Sequence, residues 1–493
     1  MTSELQHLMY IGGRWTGGVG HQERAVVNPA TGQAFASVPE ATEADAQAAL
    51  EAAAAAARDW ARQPPAARAR LMQALAQKIL DAAGDLAPTI VREQGKPLAE
   101  AQGEVRGTAH FFSYTAGLAR HVEGDILPSD NPDEEIWIRR VPFGVVVALL
   151  PWNYPAAMVG RKLAPALLAG NTVVLKPHED TPLSALVVAR LAAEVGFPDG
   201  VINVITGQGE RIGDFLVRSP LAKLVTITGS VDAGRAVMRA AAENITVVSL
   251  ELGGKAPFIV MDDAQVDLAV RMAVGSRFRN CGQVCICNER TYVHRAIWDE
   301  FVEKLVAAAG RLKVGDPMAP GTDLGPKVSR AELEKVEAAV QQAVADGAEV
   351  LLGGARPSVP GFEQGFWYAP TVLSKVRNDM AIIQREIFGP VVPLMPFDDF
   401  EEAVHLANDS RYGLSAYLFT EDFRRVMRAV NDIDFGELYV NRIGPEAAHA
   451  FHAGFRHSGI GGEGGRYGLD SYLQKKTVYL NYAAWPERQP NRG

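Results

Sequence analysis

The 493-residue sequence predicts an α/β fold organised as a doubly wound parallel sheet. Three observations carry that expectation. From residue 144 onward, short β-branched runs alternate with Ala/Leu-rich stretches of helical length. Glycines such as Gly170 and Gly196 close the helical stretches. A second series of the same kind begins near Leu250. Strands separated by helices of about 10–15 residues build parallel βαβ units.

Taken in order, 43–62 reads as a helix because it is dominated by alanine, the best helix former, including the run Ala52 to Ala57. Helical stretches follow at 66–83 and 86–93. Residues 125–135 are polar and contain proline, which marks an excursion or boundary. Strands are then expected at 144–150, 172–176, 201–205 and 224–227, with helices at 158–169, 182–195, 210–217 and 233–242. In the second series strands fall at 256–260, 291–294, 350–352, 391–397, 416–419 and 436–440, and helices at 296–309 and 330–346. Residues 476–482 alternate like an exposed strand, an edge suited to pairing with another subunit.

Composition narrows the function classes. A chain that is 47% hydrophobic is not wholly disordered. A net charge of −9 without a long basic run argues against nucleic acid. The most apolar run, 144–152, is far shorter than the ~20 residues of a membrane span. The first seven residues lack the basic and apolar regions of a signal peptide. The expectation is a soluble, cytoplasmic protein.

The three cysteines, Cys281, Cys285 and Cys287, fall within seven residues. A disulfide scaffold would spread them, and a zinc site would need a fourth ligand that is not close, so no metal is expected. A reactive thiol fits better, although the triplet alone does not say which cysteine reacts.

Four motifs sit at strand ends. Gly207-Gln-Gly209-Glu-Arg-Ile-Gly213 is one residue longer than the dinucleotide fingerprint and reads as a phosphate loop or as a Gly-rich turn. Thr228-Gly-Ser230 opens a helix that can bind a pyrophosphate, be capped by Ser230, or both. Lys176 and Glu179 can reach ribose hydroxyls or form a solvated pair. Glu251, inside Leu250-Glu-Leu-Gly-Gly-Lys255, is a candidate buried base or a partner of Lys255.

Pro151-Trp-Asn-Tyr-Pro155, Lys176-x-x-Glu179, Thr228-Gly-Ser230, Leu250-Glu-Leu-Gly-Gly-Lys255, Gly282-Gln-x-Cys285 and Glu386-Ile-Phe-Gly-Pro390 resemble, in order and spacing, the NAD(P)-dependent aldehyde dehydrogenases. The resemblance implies two Rossmann-like domains and a small β oligomerisation flap. It places NAD binding in 1–123 and 143–250, catalysis in 251–455 and oligomerisation in 124–142 and 470–493, with assembly to a dimer or tetramer. It implies Cys285 as the nucleophile, Asn153 as the oxyanion-hole donor and Glu251 as the base for thioester hydrolysis, with Lys162 and Glu463 near a proton path. For the cofactor it implies Pro151, Trp152, Lys176, Glu179, Gly209, Gly213, Thr228, Gly229, Ser230, Leu252, Gly253, Glu386 and Phe388. A carboxylate at Glu179 would repel a 2′-phosphate, so NAD is favoured over NADP.

The sequence departs from relatives that line the substrate tunnel with aromatics. Arg161, Arg279 and His452 stand at three such positions, beside Tyr154 and Ile286. A guanidinium pair resembles the succinate semialdehyde dehydrogenases and implies a clamp for an anionic aldehyde. The stretch 451–462 resembles instead the lactaldehyde/glycolaldehyde dehydrogenases, which act on small 2-hydroxyaldehydes. Cys287 reads either as a redox partner of Cys285 or as a small residue packed behind it, and the two-residue spacing favours the second. A catalytically silent, crystallin-like relative is the non-enzyme alternative, against which the presence of Cys285, Glu251 and Asn153 counts. Esterase activity is expected as a side reaction.

Overall fold

A computed structural model describes residues 7–483. Two sheets dominate it. In the first, strands Val145–Leu149, Thr172–Lys176, Ile202–Val204, Leu224–Thr228 and Val247–Glu251 are mutually parallel. Val145–Leu149 lies centrally, with Thr172–Lys176 on one side and Leu224–Thr228 on the other. The strand order therefore reverses there, at a topological switch point. Ligands bind in the crevice at the carboxyl ends of the strands flanking such a point. Short strands Met9–Ile11 and Arg14–Thr16 extend one edge of this sheet, and Gly459–Ile460 adds antiparallel to Val247–Glu251 at the other.

The second sheet has seven strands. Ala256–Val260 and Asn288–His294 lie at its centre, and all pairings are parallel except that of Glu349–Leu352 with Thr371–Ser374. Residues 252–255 connect the last long strand of the first sheet to Ala256–Val260. The carboxyl edge of one sheet thereby meets the amino edge of the other.

Helix Glu43–Arg62 begins at a reciprocal capping box. Thr42 Oγ1 accepts the Asp45 N–H at 3.3 Å, and the Asp45 carboxylate accepts the Thr42 N–H at 2.8 Å. Helix Leu98–Gly117 was absent from the sequence reading. Its buried face repeats at helical spacing but is built from Ala101, Glu104, Val105, Thr108, Ala109 and Phe112, so alanine, threonine and a carboxylate mask the apolar periodicity. The 210–217 helix is split into a π turn, Gly209–Gly213, and a short α-helix, Asp214–Arg218.

Residues 125–135, expected as an irregular excursion, contribute to a three-stranded sheet. Glu134–Pro142 is central, Asp125–Pro128 flanks it, and Leu473–Asn481 pairs with it over nine residues. The alternating C-terminal strand thus pairs within its own chain. Ile126, Trp137 and Tyr479 remain exposed on this sheet. The last ten residues of the segment assigned to oligomerisation, 484–493, lie outside the described residues. No helix among the described residues is long and apolar enough to cross a membrane.

Candidate active site

Between the two sheet edges lies a cavity of about 770 Å³. All thirteen residues assigned to the cofactor line it. Lys176 and Glu179 stand at one end, with Lys176 Nζ 3.4 Å from the Glu179 carboxylate. Burial works to raise the Glu179 pKa, but His178 and Lys176 outweigh it and hold the carboxyl below its ordinary value. Gly209 and Gly213 form the adjacent wall. Thr228, Gly229 and Ser230 lead into helix Val231–Ala241, whose first turn is capped by Ser230 Oγ accepting the Ala233 N–H at 3.1 Å. Capping and an anion site at this helix start are compatible.

At the other end Pro151, Trp152, Leu252, Gly253, Glu386 and Phe388 converge. The Trp152 and Phe388 rings meet edge-on, 5.2 Å between centroids. Gly253 is required here: a Cβ would sit 2.4 Å from the Glu386 carboxylate, which instead accepts the Gly254 N–H at 2.8 Å. Burial, reinforced by Glu289, pushes Glu386 up to about 8. Carboxylates for sugar hydroxyls at both ends, a helix start between them and an aromatic pair fit a nicotinamide dinucleotide.

Sequence reasoning missed Glu289, which holds this end in place. It pairs with Lys255 at 2.8 Å and Arg277 at 3.1 Å, and accepts the N–H groups of Ile387 and Phe388 at 2.7 and 2.8 Å. Lys255 is therefore the partner of Glu289, and Glu251 makes no ion pair with it.

Cys285 also lines the cavity, three residues before strand Asn288–His294. Its carbonyl lies where a Cβ on Gly254 would be, at 2.3 Å, so the thiol loop packs on bare backbone. Burial and then the carboxylates of Glu446 and Glu386 push the thiol pKa up. Cys281 is buried in the core packed on the second sheet, and Cys287 Sγ contacts the Arg277 guanidinium at 2.9 Å. All three thiols are free.

Asn153 is buried, and its Nδ2 donates to the Gln283 carbonyl in the thiol loop at 2.9 Å. Its own carbonyl accepts from Lys96 Nζ and Asn280 Nδ2, both at 2.9 Å. Lys96 also pairs at 2.5 Å with Glu104, which accepts the N–H groups of Ala156 and Ala157 at 2.9 and 3.1 Å. The masked helix Leu98–Gly117 thus anchors the Asn153 turn. Glu251 ends its strand, buried, with neither oxygen hydrogen-bonded. Burial pushes it up to about 7.

The aldehyde dehydrogenase family profile matches residues 15–478. The chain belongs to the aldehyde dehydrogenase family. It is 45% identical to the 3,6-anhydro-alpha-L-galactose dehydrogenase of Vibrio sp. (strain EJY3), over 97% of this chain and 99% of that one. It is 44% identical to the lactaldehyde dehydrogenase of Escherichia coli (strain K12), over 97% of this chain and 100% of that one. The structure of a 3,6-anhydro-L-galactose dehydrogenase in complex with NADP superposes with a TM-score of 0.95 at 46% identity, covering 96% of this chain and 100% of that one. The protein is accordingly an NAD- or NADP-dependent aldehyde dehydrogenase that oxidises an aldehyde to the acid.

The substrate side of this aldehyde dehydrogenase corrects one expectation: Arg161 and Arg279 do not form an anion clamp. Arg161 is buried and already bound to two carboxylates, Glu463 at 2.7 Å and Glu446. Glu463 also binds Lys162, whose Nζ donates to Thr226 Oγ1 at 2.9 Å. Although burial works to raise Glu446, Arg161 and His452 hold it down at about 2. A guanidinium so compensated has no net charge left for a substrate anion. Arg279 makes no ion pair among the described residues, and its Nε has no partner. Its charge lies beside the Tyr154 phenol and Glu100. Tyr154 and Ile286 pack with Cys285 in a small apolar cluster. His452 lies between Glu251 and Glu437. Glu437 opens an expected strand and Glu446 is a lone carboxylate in a stretch without periodicity, so neither announces a site; for Glu446, a charge among Gly444, Pro445 and Ala447 is the one local signal.

Proposed function

We propose that this aldehyde dehydrogenase oxidises a small hydroxylated aldehyde with NAD, through a thiohemiacetal and a thioester on Cys285. The observation that carries the substrate reading is the ion-paired Arg161. A site whose Arg161 and Lys162 neutralise Glu446 and Glu463 offers donors and acceptors with little net charge, which suits hydroxyl groups. Relatives named for lactaldehyde and for D-glyceraldehyde, at 44% and 40% identity, support it.

Cys285 attacks the aldehyde carbon as the thiolate. Asn153 Nδ2, turned from Gln283, and the Cys285 N–H receive the developing oxyanion. A nicotinamide dinucleotide held by Lys176, Glu179, Ser230, Glu386 and Phe388 would supply the oxidant, as hydride acceptor. Glu251, poised near neutrality, then takes a proton from the water that opens the thioester. Water must enter after oxidation because an aldehyde lacks the second oxygen of an acid. Lys162 and Glu463, joined directly, lie behind Glu251 as a route for that proton.

An anionic aldehyde is the second reading, favoured by the unpaired guanidinium of Arg279 and by a relative named succinate-semialdehyde dehydrogenase at 41% identity. A kcat/KM panel decides between the readings. Lactaldehyde and glyceraldehyde are expected to exceed benzaldehyde by at least about tenfold, a difference of ~1.4 kcal/mol. Succinate semialdehyde outranking both, with the advantage lost in Arg279→Ala, would establish the second reading.

Cofactor choice is a separate expectation. Glu179 beside Lys176 accepts ribose hydroxyls and repels a 2′-phosphate. NAD should exceed NADP in kcat/KM, and Glu179→Ser should narrow the gap by improving NADP. A wild-type preference for NADP would contradict the assignment.

A further inference from the structure

The His452 ring lies between two carboxylates. Its Nδ1 is 2.9 Å from Glu437 Oε1, and its Nε2 is 3.5 Å from Glu251 Oε2. Glu437 is itself held by Ser415 Oγ at 2.9 Å and Tyr439 Oη at 3.0 Å. The His452 backbone is fixed as well, exchanging two 2.7 Å hydrogen bonds with Glu463. Only an imidazolium presents a donor to both carboxylates at once.

We propose that His452 is a positioning residue for water activation: anchored by Glu437, its imidazolium keeps the Glu251 carboxylate oriented and ionised for proton abstraction. The proposal rests on Glu251 being the base of the reaction above. In that step the water oxygen bonds to the thioester carbon, one water proton passes to Glu251, and the C–S bond breaks. The Cys285 sulfur leaves with the bonding electrons and is reprotonated, while His452 keeps its proton throughout.

The charge balance of the cluster explains why the site needs this cation. Helix Pro155–Ala169 contributes Arg161 and Lys162. Strand Glu437–Val440 contributes Glu437 and Tyr439, the loop after it Glu446, and the bridge to His452 contributes Glu463. Glu251 also acts electrostatically on Cys285 and Tyr472. Arg161 and Lys162 are engaged by Glu446 and Glu463, which leaves Glu437 and Glu251 to share His452. Among the charges acting on Glu251 against its burial, His452 comes first, ahead of Lys162 and Arg161. For His452, burial and Arg161 work downward, but Glu446, Glu251 and Glu437 prevail and carry it to about 9. A carboxylate and an imidazolium therefore face each other between about pH 7 and 9.

The test follows deacylation alone. The full-length enzyme is acetylated with p-nitrophenyl acetate, and loss of the acetyl adduct from Cys285 is timed by mass spectrometry across pH. The acetyl group is too small to report on aldehyde recognition. In His452→Gln the acid limb of the deacylation rate should move up by about one pH unit or more, with the rate recovering at high pH. Glu437→Gln should move it in the same direction by less, and serves if the first variant does not fold. A limb that stays in place while the rate falls equally at every pH would overturn the proposal. Glu251→Gln distinguishes the underlying reading. Deacylation lost at all pH values is expected, whereas normal deacylation, or no adduct on Cys285, would remove the base or the nucleophile from the mechanism.

Discussion

Cys285→Ala is expected to abolish NADH formation and ester cleavage together, by about four orders of magnitude or more, whereas Cys281→Ala keeps most activity. The two thiols are four residues apart, yet their surroundings differ. Cys285 lines the cavity between the sheets, as do Asn153, Glu386 and Phe388. Cys281 packs among Phe278, Ala256 and other core side chains on the second sheet, where burial pushes its pKa up to about 12. Burial also raises Cys285, so exposure to the cavity, and not an intrinsically low pKa, sets it apart. Steady-state turnover and the mass of an acyl adduct check this, and equal losses in the two variants would show that the triplet has been misread.

Arg161→Ala is expected to lower the unfolding free energy by about 3–5 kcal/mol, because removing one partner leaves buried charges uncompensated. Glu446 would lose its cation, and Glu463 would keep only Lys162. Activity should fall toward every aldehyde, neutral ones included. The pH dependence has a definite sign. Glu446 is held at about 2 in the folded chain, below its unfolded value. Its contribution is therefore fully present above the ordinary carboxylate range and is lost as pH falls toward 2. The stability gap between wild type and Arg161→Ala should narrow over that acid range in denaturant titrations. An unchanged midpoint at neutral pH, with losses confined to anionic aldehydes, would instead restore the clamp.

The alternation of short β-branched runs with Ala- and Leu-rich helices indicated two mainly parallel sheets without reference to tertiary contacts, although strand Thr371–Ser374 was not among those it marked. It did so because period and turn residues act within about 15 residues. The same holds for the motifs. Pro151 to Asn153, Thr228 to Ser230, Leu252 to Gly253 and Glu386 to Phe388 each lie by a strand end, and once the sheets form these residues line one cavity. Helix Leu98–Gly117 escaped because its core face includes Glu104, and a buried carboxylate is intelligible only beside Lys96 and the start of the next helix. What Arg161 does was likewise decided by the tertiary structure alone. A guanidinium at a tunnel position predicts an anionic ligand, but Arg161 meets Glu446, 285 residues away, and Glu463, 302 residues away. Spacing along the chain places a charge on its element; only the packed fold brings up the partner that neutralises it.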